Sequence, residues 1–503
     1  MKTEQASLFD FDIDLSDWTV TQFSAHSFAE DLERKNLESK FIQKTTISDE
    51  FNRQSVSYQL SKKDCIHRWL KYKEGFSADL VQKLLTELSV NEGDVVLDPF
   101  MGSGTTALVC KLNNINSIGY DILPMTKISI TAKDAVLDYN IEELLNLQKE
   151  FLAICVPNNF CKKFQYISIT EGAFPDISAR QVVYYLDWIK ESNFSSLAKN
   201  LFILCLMNSL ENASYTRKDG QYLAWDSRSP KIIRANELRA QRGAKPINRL
   251  DKGEIPELKT VLSAELKNVI DDIVLLQREL KLHHTFINFK EGSSLLEIPL
   301  LEDNSVDGVI TSPPYCNRYD YTRTYALEMN FLGLSSQKIN QLRQDLISCT
   351  VENKSKINFL REYYTKLDRL AHFEKVVGVL KNCGPLNEII QALNKRNLNG
   401  EINNKGVLRM VEGYFVDLAF IYSEIFRVFK PGAKIAVVND NVRYAGEVIP
   451  VDFLSCEIAE LLGFNIVKIY TLKQKKGNSS QQMAKYGRVP LRKSITIWEK
   501  PLH

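Results

Sequence analysis

The chain is 503 residues long, enough for two or three compact units at about 150 residues each. Its composition, 44% hydrophobic and 25% charged, is that of a globular protein and excludes a disordered polymer. With 64 basic against 62 acidic residues, any surface for a polyanion must be local. Nine scattered cysteines, with no Cys-x-x-Cys pair or Cys/His cluster, read as reduced thiols rather than disulfides or a zinc site. The acidic N-terminus is not a secretory signal, and no apolar run is long enough to span a membrane.

Along the chain, residues 1–60 read as an N-terminal arm. At residues 94–107, "DVVLDPFMGSGTTA", a short buried-strand signal runs through a loop with Gly102 and Gly104 into a helix. Glycines at a strand-to-helix turn let backbone approach a ligand closely. The spacing is neither Gly-x-Gly-x-x-Gly nor a P-loop, which disfavours a dinucleotide or a nucleoside triphosphate. A second strand, "SIGYDILPM", closes on Asp121, placed to accept hydrogen bonds from ribose hydroxyls.

Residues 141–287 read as a largely helical insertion. "ARQVVYYLDWIKE", "LAKNLFILCLMNSL" and "LSAELKNVIDDIVLLQREL" each carry apolar residues three or four apart. Inside it, residues 214–252 hold ten Lys/Arg against four Asp/Glu, interleaved with Tyr215, Tyr222 and Trp225. That mixture suits phosphate contact and base stacking, with Arg217, Lys218 and Trp225 as candidates; a solvated helical face would look the same.

At residues 308–321 comes "GVITSPPYCNRYDY". Pro313 cannot donate to a ladder and stops the strand, and the double proline rigidifies the next few residues. A second helical insertion is expected over 335–410. Between two late strand signals lies "KQKKGNSSQQMAKYGRVPLRK" (473–493), with seven basic residues and no acidic one. It reads as a phosphate-facing loop, with Lys475, Lys476 and Lys485 as candidates.

"DPFMGSGTT" followed by "TSPPY" resembles the signature pair of the amino-methylating DNA methyltransferases, which methylate cytosine N4 or adenine N6 from S-adenosylmethionine. "HRWLKYKEGFSADLV", "EGSSLLEIPLLEDNSVD", "IFRVFKPGAKIAVVND", "LLGFNIVKIYTLK" and "RKSITIWEK" resemble other segments of that family, together about half the chain. The resemblance implies a Rossmann-like methyltransferase fold: α/β, a doubly wound, mostly parallel seven-stranded sheet with the two insertions. The core would comprise a cofactor half (61–140), a catalytic half (288–334) and C-terminal strands (411–503). The insertion 141–287 is then a candidate for target recognition.

By the same resemblance Asp98 would meet the methionine ammonium, Phe100 would pack beside the cofactor, Gly102 and Gly104 would give backbone access, and Asp121 would hold the ribose. Ser77, Thr105 and Thr106 are candidates for the cofactor carboxylate. Ser312, Pro313, Pro314 and Tyr315 would form the catalytic motif. Ser312 and the Pro313 carbonyl would accept the hydrogens of the exocyclic amine, freeing its lone pair, while Tyr315 stacks on a base flipped out of the duplex. Ser at the first motif position resembles the cytosine-N4 branch, with adenine N6 as the alternative. Ser293 stands where relatives often carry an acidic residue. No cysteine sits in the Pro-Cys pair of carbon-5 enzymes.

The implied setting is bacterial or archaeal cytoplasm, as the modification half of a restriction–modification or defence system. Its partners would be double-stranded DNA and a separate restriction endonuclease. An RNA base methyltransferase and a catalytically inactive DNA-binding regulator are the rival readings. "QASLF", with Gln5, Leu8 and Phe9, resembles the peptide by which bacterial proteins dock on the replication sliding clamp.

Overall fold

The computed structural model describes residues 31–219, 222–247, 250–279, 285–473, 483–487, 489 and 491–502. Gln5, Leu8, Phe9, Lys475 and Lys476 lie outside the described residues.

Twelve strands form among the described residues, most of them from short β-branched or apolar runs. They are β1 (Thr45–Ser48), β2 (Val95–Asp98), β3 (Asn116–Asp121), β4 (Thr216–Asp219), β5 (Tyr222–Trp225) and β6 (Ile287–Glu291). β7 (Val306–Thr311), β8 (Phe429–Asp440), β9 (Val442–Tyr444), β10 (Glu447–Ile449), β11 (Asn465–Leu472) and β12 (Lys493–Glu499) complete the set. Eight of them make one sheet in the order β1-β11-β12-β8-β7-β2-β3-β6. β12 runs antiparallel to both neighbours, and the remaining pairings are parallel. The chain winds outward on either side of the β2/β7 pair, so a crevice opens beyond the carboxyl ends of those two strands.

β2 shows why the sheet sits in the middle. Val96 packs on one face with Leu80 and Leu84 of the helix Ala78–Glu87, while Leu97 joins the core on the other face. Consecutive apolar residues are what a strand covered on both sides requires.

The expected sheet of seven strands has eight, because β1 adds itself parallel to β11 with Thr45 opposite Ile469. The segment expected to be an arm is therefore, from residue 31 on, part of the body. Its helix Leu32–Ile42 is pinned by Arg34, whose buried guanidinium lies 2.6 Å from Glu388 and 2.8 Å from Glu447.

The first insertion is helical as expected, with Ile141–Ala153, Asp176–Glu191, Ser196–Ser209 and Leu258–Glu279. These helices share one apolar core with Tyr319, Tyr325 and Met329, just beyond the Pro-Pro segment, so the insertion is fused to the segment that follows β7. Its basic stretch folds as the hairpin β4–β5 followed by the helix Pro230–Gln241. The second insertion supplies the helices Ser336–Asp345, Ile357–Lys366, Leu370–Asn382 and Gly384–Leu398, and its core is shared with the long helix Gly406–Val428. No helix of the described residues is long and apolar enough to cross a membrane.

Candidate active site

β2 ends on Asp98, and the chain turns through Gly102 and Gly104 into the helix Thr105–Leu112. Both glycines take positive φ, +52° and +83°, a region that disfavours side chains. A Cβ on Gly102 would stand 2.9 Å from the Tyr72 ring in the cavity wall. A Cβ on Gly104 would instead meet Ile130 at 2.9 Å, behind the loop. Gly102 thus keeps the cavity open, and Gly104 lets the loop pack down on the helix Pro124–Asp134. From that helix the buried Lys133 donates to the Ser103 carbonyl at 2.8 Å, and burial alone lowers its pKa to about 7.

β2 and β7 pair directly, Val96 opposite Gly308 and Leu97 opposite Val309. That register brings the two distant motifs together. The Thr106 hydroxyl donates to Asp98 at 2.6 Å, the Thr311 hydroxyl at 3.0 Å and the Phe100 N–H at 3.1 Å. Asp98 is a buried knot between the halves of the site, and neither it nor Thr106 lines the cavity. Asp121, at the end of β3, does line it. It accepts the N–H groups of Gly102 and Leu123, each at 2.9 Å, which leaves lone pairs over on both oxygens. Burial raises the pKa of both carboxyls to about 6.

The cavity between these groups measures about 460 Å³, within the range of small-molecule sites. Phe100, Gly102, Thr105 and Asp121 line one part, and Ser312, Pro313, Pro314 and Tyr315 another. The Ser312 hydroxyl lies 3.3 Å from that of Tyr315. Ser77 is not at the cavity: it is fully buried and caps the helix Ala78–Glu87 through the Leu80 N–H. Cys316 is buried behind the motif, and burial pushes its thiol far above the ordinary range, so no thiolate nucleophile is available there. No group of His, Cys, Asp and Glu among the described residues could hold a metal ion.

Several cavity residues carry no individual signal in the sequence. Glu74 faces the cavity and accepts from the Tyr325 hydroxyl at 2.5 Å, with its pKa raised by burial. Tyr72 stacks on Tyr325 with ring centres 5.2 Å apart. Lys493, the first residue of β12, stands in the cavity with its ammonium 5.1 Å from the Tyr315 ring centre. Asp345, from the second insertion, borders the cavity beside Ser293, whose hydroxyl donates to the Asp345 carbonyl at 3.3 Å. An acidic residue therefore stands next to the position where the sequence has serine.

The basic stretches divide. Arg217 is exposed, but Lys218 is buried between Glu211 and Glu328 and offers no cation to solvent, which corrects its candidacy for DNA contact. Trp225 is half-buried under the Lys231 ammonium, 4.6 Å from its ring centre. Lys485 is exposed and paired with Glu401 at 3.2 Å. Arg492, counted in the loop, is buried against Glu38 and Asp452.

The residues fit an adenosyl-methionine ligand: a loop whose Gly102 has no room for a side chain, a carboxylate with free lone pairs, and a helix N-terminus at Thr105. A family model described as DNA methylase, for N6 and N4 methyltransferases, matches residues 16–130. The Type II methyltransferase M.BsoBI of Geobacillus stearothermophilus is 51% identical over 96% of this chain and 95% of its own. The Type II methyltransferase M.AvaI of Nostoc is 36% identical over 97% of each chain. Likeness of that extent spans both insertions as well as the motifs, and the chain belongs to the amino-methylating DNA methyltransferase family.

Proposed function

We propose that the protein transfers a methyl group from S-adenosylmethionine to the exocyclic amine of a base flipped out of double-stranded DNA. Cytosine N4 is the favoured target, in the modification half of a restriction–modification system. The observation that carries the reading is the single cavity walled by both Gly102/Asp121 and Ser312/Tyr315. Both curated relatives are named Type II methyltransferases, which supports the restriction–modification setting, bacterial cytoplasm and a separately encoded endonuclease.

When bound, the cofactor supplies an electrophilic methyl group on a sulfonium. Asp121 would accept its ribose hydroxyls, while Thr105 and the N–H groups at its helix start would hold its carboxylate. Its ammonium would meet Glu74, which lines the cavity, whereas Asp98 is buried behind the wall and already accepts three hydrogen bonds. Ser312 and the Pro313 carbonyl would accept the hydrogens of the target amine and make its nitrogen more pyramidal. Tyr315 would stack on the base, its ring steadied by the Lys493 ammonium.

The test is expression in a host that lacks DNA methylation, followed by detection of both modified bases. N4-methylcytosine at one sequence is expected, and N6-methyladenine would move the target. Unmodified DNA from a protein that binds the cofactor would leave an RNA substrate or a regulatory role. Docking on the sliding clamp through Gln5, Leu8 and Phe9 is tested by pull-down with Leu8→Ala/Phe9→Ala as the control.

A further inference from the structure

We infer that the helix Pro230–Gln241 and the return after it form a finger that enters the DNA major groove and reads base edges beside the flipped base. The inference rests on the DNA-methyltransfer reading and adds the location of sequence readout.

The finger is unlike the other helices of its insertion. Ile232 is its only buried residue, and from Ile233 to Ile247 all but Ala235 and Asn236 are exposed. Three large apolar side chains stand in solvent, Ile233 and Leu238 at 47% and Ile247 at 37%. A helix this short is marginal in water without packing, yet here it is held from within. Arg239 Nε donates to the Lys245 carbonyl at 2.6 Å, and the Ala244 N–H to the Arg239 carbonyl at 2.9 Å. The Ile247 N–H donates to Asn236 Oδ1 at 2.8 Å.

Its base is equally fixed. The buried Asp226 accepts from Arg228 Nε at 2.7 Å and the Lys252 N–H at 2.8 Å, and Ser229 donates to the Gly172 carbonyl at 3.0 Å. A stiff element left bare of its own protein implies a partner outside it.

Charge selects the partner. Residues 231–247 hold five basic residues and one acidic, in a chain whose formal net charge is +2. Lys231 and Arg239 are occupied in holding the finger, through the Trp225 ring and the turn. Arg234, Leu238, Gln241 and Arg242 lie at helical spacing along one face. Arg234 has only an exposed pairing with Glu171 at 3.5 Å, which holds little free energy. A guanidinium matches guanine O6/N7, an amide matches adenine N6/N7, and an apolar tip matches the thymine methyl. The B-form major groove admits a helix, whereas that of duplex RNA is too deep and narrow for side chains to read.

The finger is joined to the chemistry. β5, which leads into it, packs on the short helix Tyr321–Thr324 at the cavity. Lys73 donates to the Lys218 carbonyl of β4, and the Lys218 ammonium lies 4.8 Å from the Tyr325 ring centre. Tyr325 in turn stacks on Tyr72. Base edges read by the finger are thus held at a set position relative to the cavity.

The experiment is selection of bound duplexes from a randomised pool, by the wild type and by Arg234→Ala/Leu238→Ala/Arg242→Ala. The wild type should enrich one motif and the variant should not. Affinity of the variant for that motif should fall about 100-fold, as the loss of two or three base contacts requires, and its affinity for unrelated duplex about tenfold or less. Cofactor affinity and thermal midpoint, which these exposed residues do not support, should stay unchanged. Enrichment of the same motif by the variant would overturn the inference, as would an equal loss on all duplexes, which would make the helix a phosphate contact. Because the readout is binding, it stands apart from catalysis: a wild type that enriches a motif but methylates no base would sink the proposed reaction and leave the finger.

Discussion

Gly102 and Gly104 take up the same left-handed backbone yet guard opposite sides of one loop. Gly102→Val is expected to strain the turn and press on Tyr72, so S-adenosylmethionine affinity measured by calorimetry should drop by about tenfold or more. Gly104→Val meets Ile130 instead, and its cost should appear first in unfolding free energy. Near-normal affinity in a folded Gly102→Val protein would remove the loop from the cofactor site. At the other end of the cavity, Tyr315→Phe should keep most methyl transfer while Tyr315→Ala loses it, since stacking needs a ring. Equal rates for the two variants would contradict the stacking role.

Asp121 adds a pH dependence whose sign is set by burial. Its folded-state pKa of about 6 lies above the unfolded value of about 3.9, so the native state holds a proton the unfolded chain has released. Its contribution to stability therefore falls as pH rises from about 4 to 6. On the proposed role of Asp121, cofactor binding would run the other way, because ribose hydroxyls would need the ionised acceptor. Affinity should climb between pH 5 and 7 in the wild type and climb less steeply in Asp121→Asn, where only Glu74 still titrates against the cofactor; identical profiles for the two proteins would separate Asp121 from the ribose.

Among the elements, those bounded by their own chemistry were legible from the sequence. β2, β3 and β7 hold short apolar stretches with a proline one to three residues beyond their ends, and the insertion helices carry a clear apolar period. β1 was not legible: "TTIS" is four residues, and what makes it a strand is an open edge on β11 more than 400 residues away. Lys493 was hidden for a related reason. In a basic loop it looks like one more surface charge, and only the register that sets it opposite Asp440 brings it to Tyr315. Glu74 lay inside a recognised segment, but its turn toward the cavity depends on Tyr325, far along the chain. The N-terminal helix offers a direct test of how firmly such distant contacts hold. Arg34→Met takes a buried guanidinium away from both Glu388 and Glu447, and should cost about 3–5 kcal/mol in urea unfolding. A cost under about 1 kcal/mol would mean that the helix is a passenger rather than a clamp.

For the whole molecule, the insertion 141–287 and the segment after β7 share one core, so they should not unfold separately. Calorimetry should show one transition, and limited proteolysis should release no stable 141–287 fragment. Two resolved transitions would mean that the insertion is a domain after all.

The Asp98 knot also sets a schedule for the protein's birth. Thr311 leaves the ribosome 213 residues after Asp98, a wait of about 10–40 s at ordinary rates of synthesis. Until then β2 lacks the neighbour that completes it, and the nascent chain carries an unpaired strand edge and a buried-type carboxylate with one hydroxyl missing. A chain cut short before Thr311 would be a cofactor loop without a floor, unable to hold a methyl donor and free to aggregate. On the proposed reaction, competence to bind the donor would be reached only when the strand leading to Ser312 has been made, so that an unfinished chain would not sequester the cell's methyl supply.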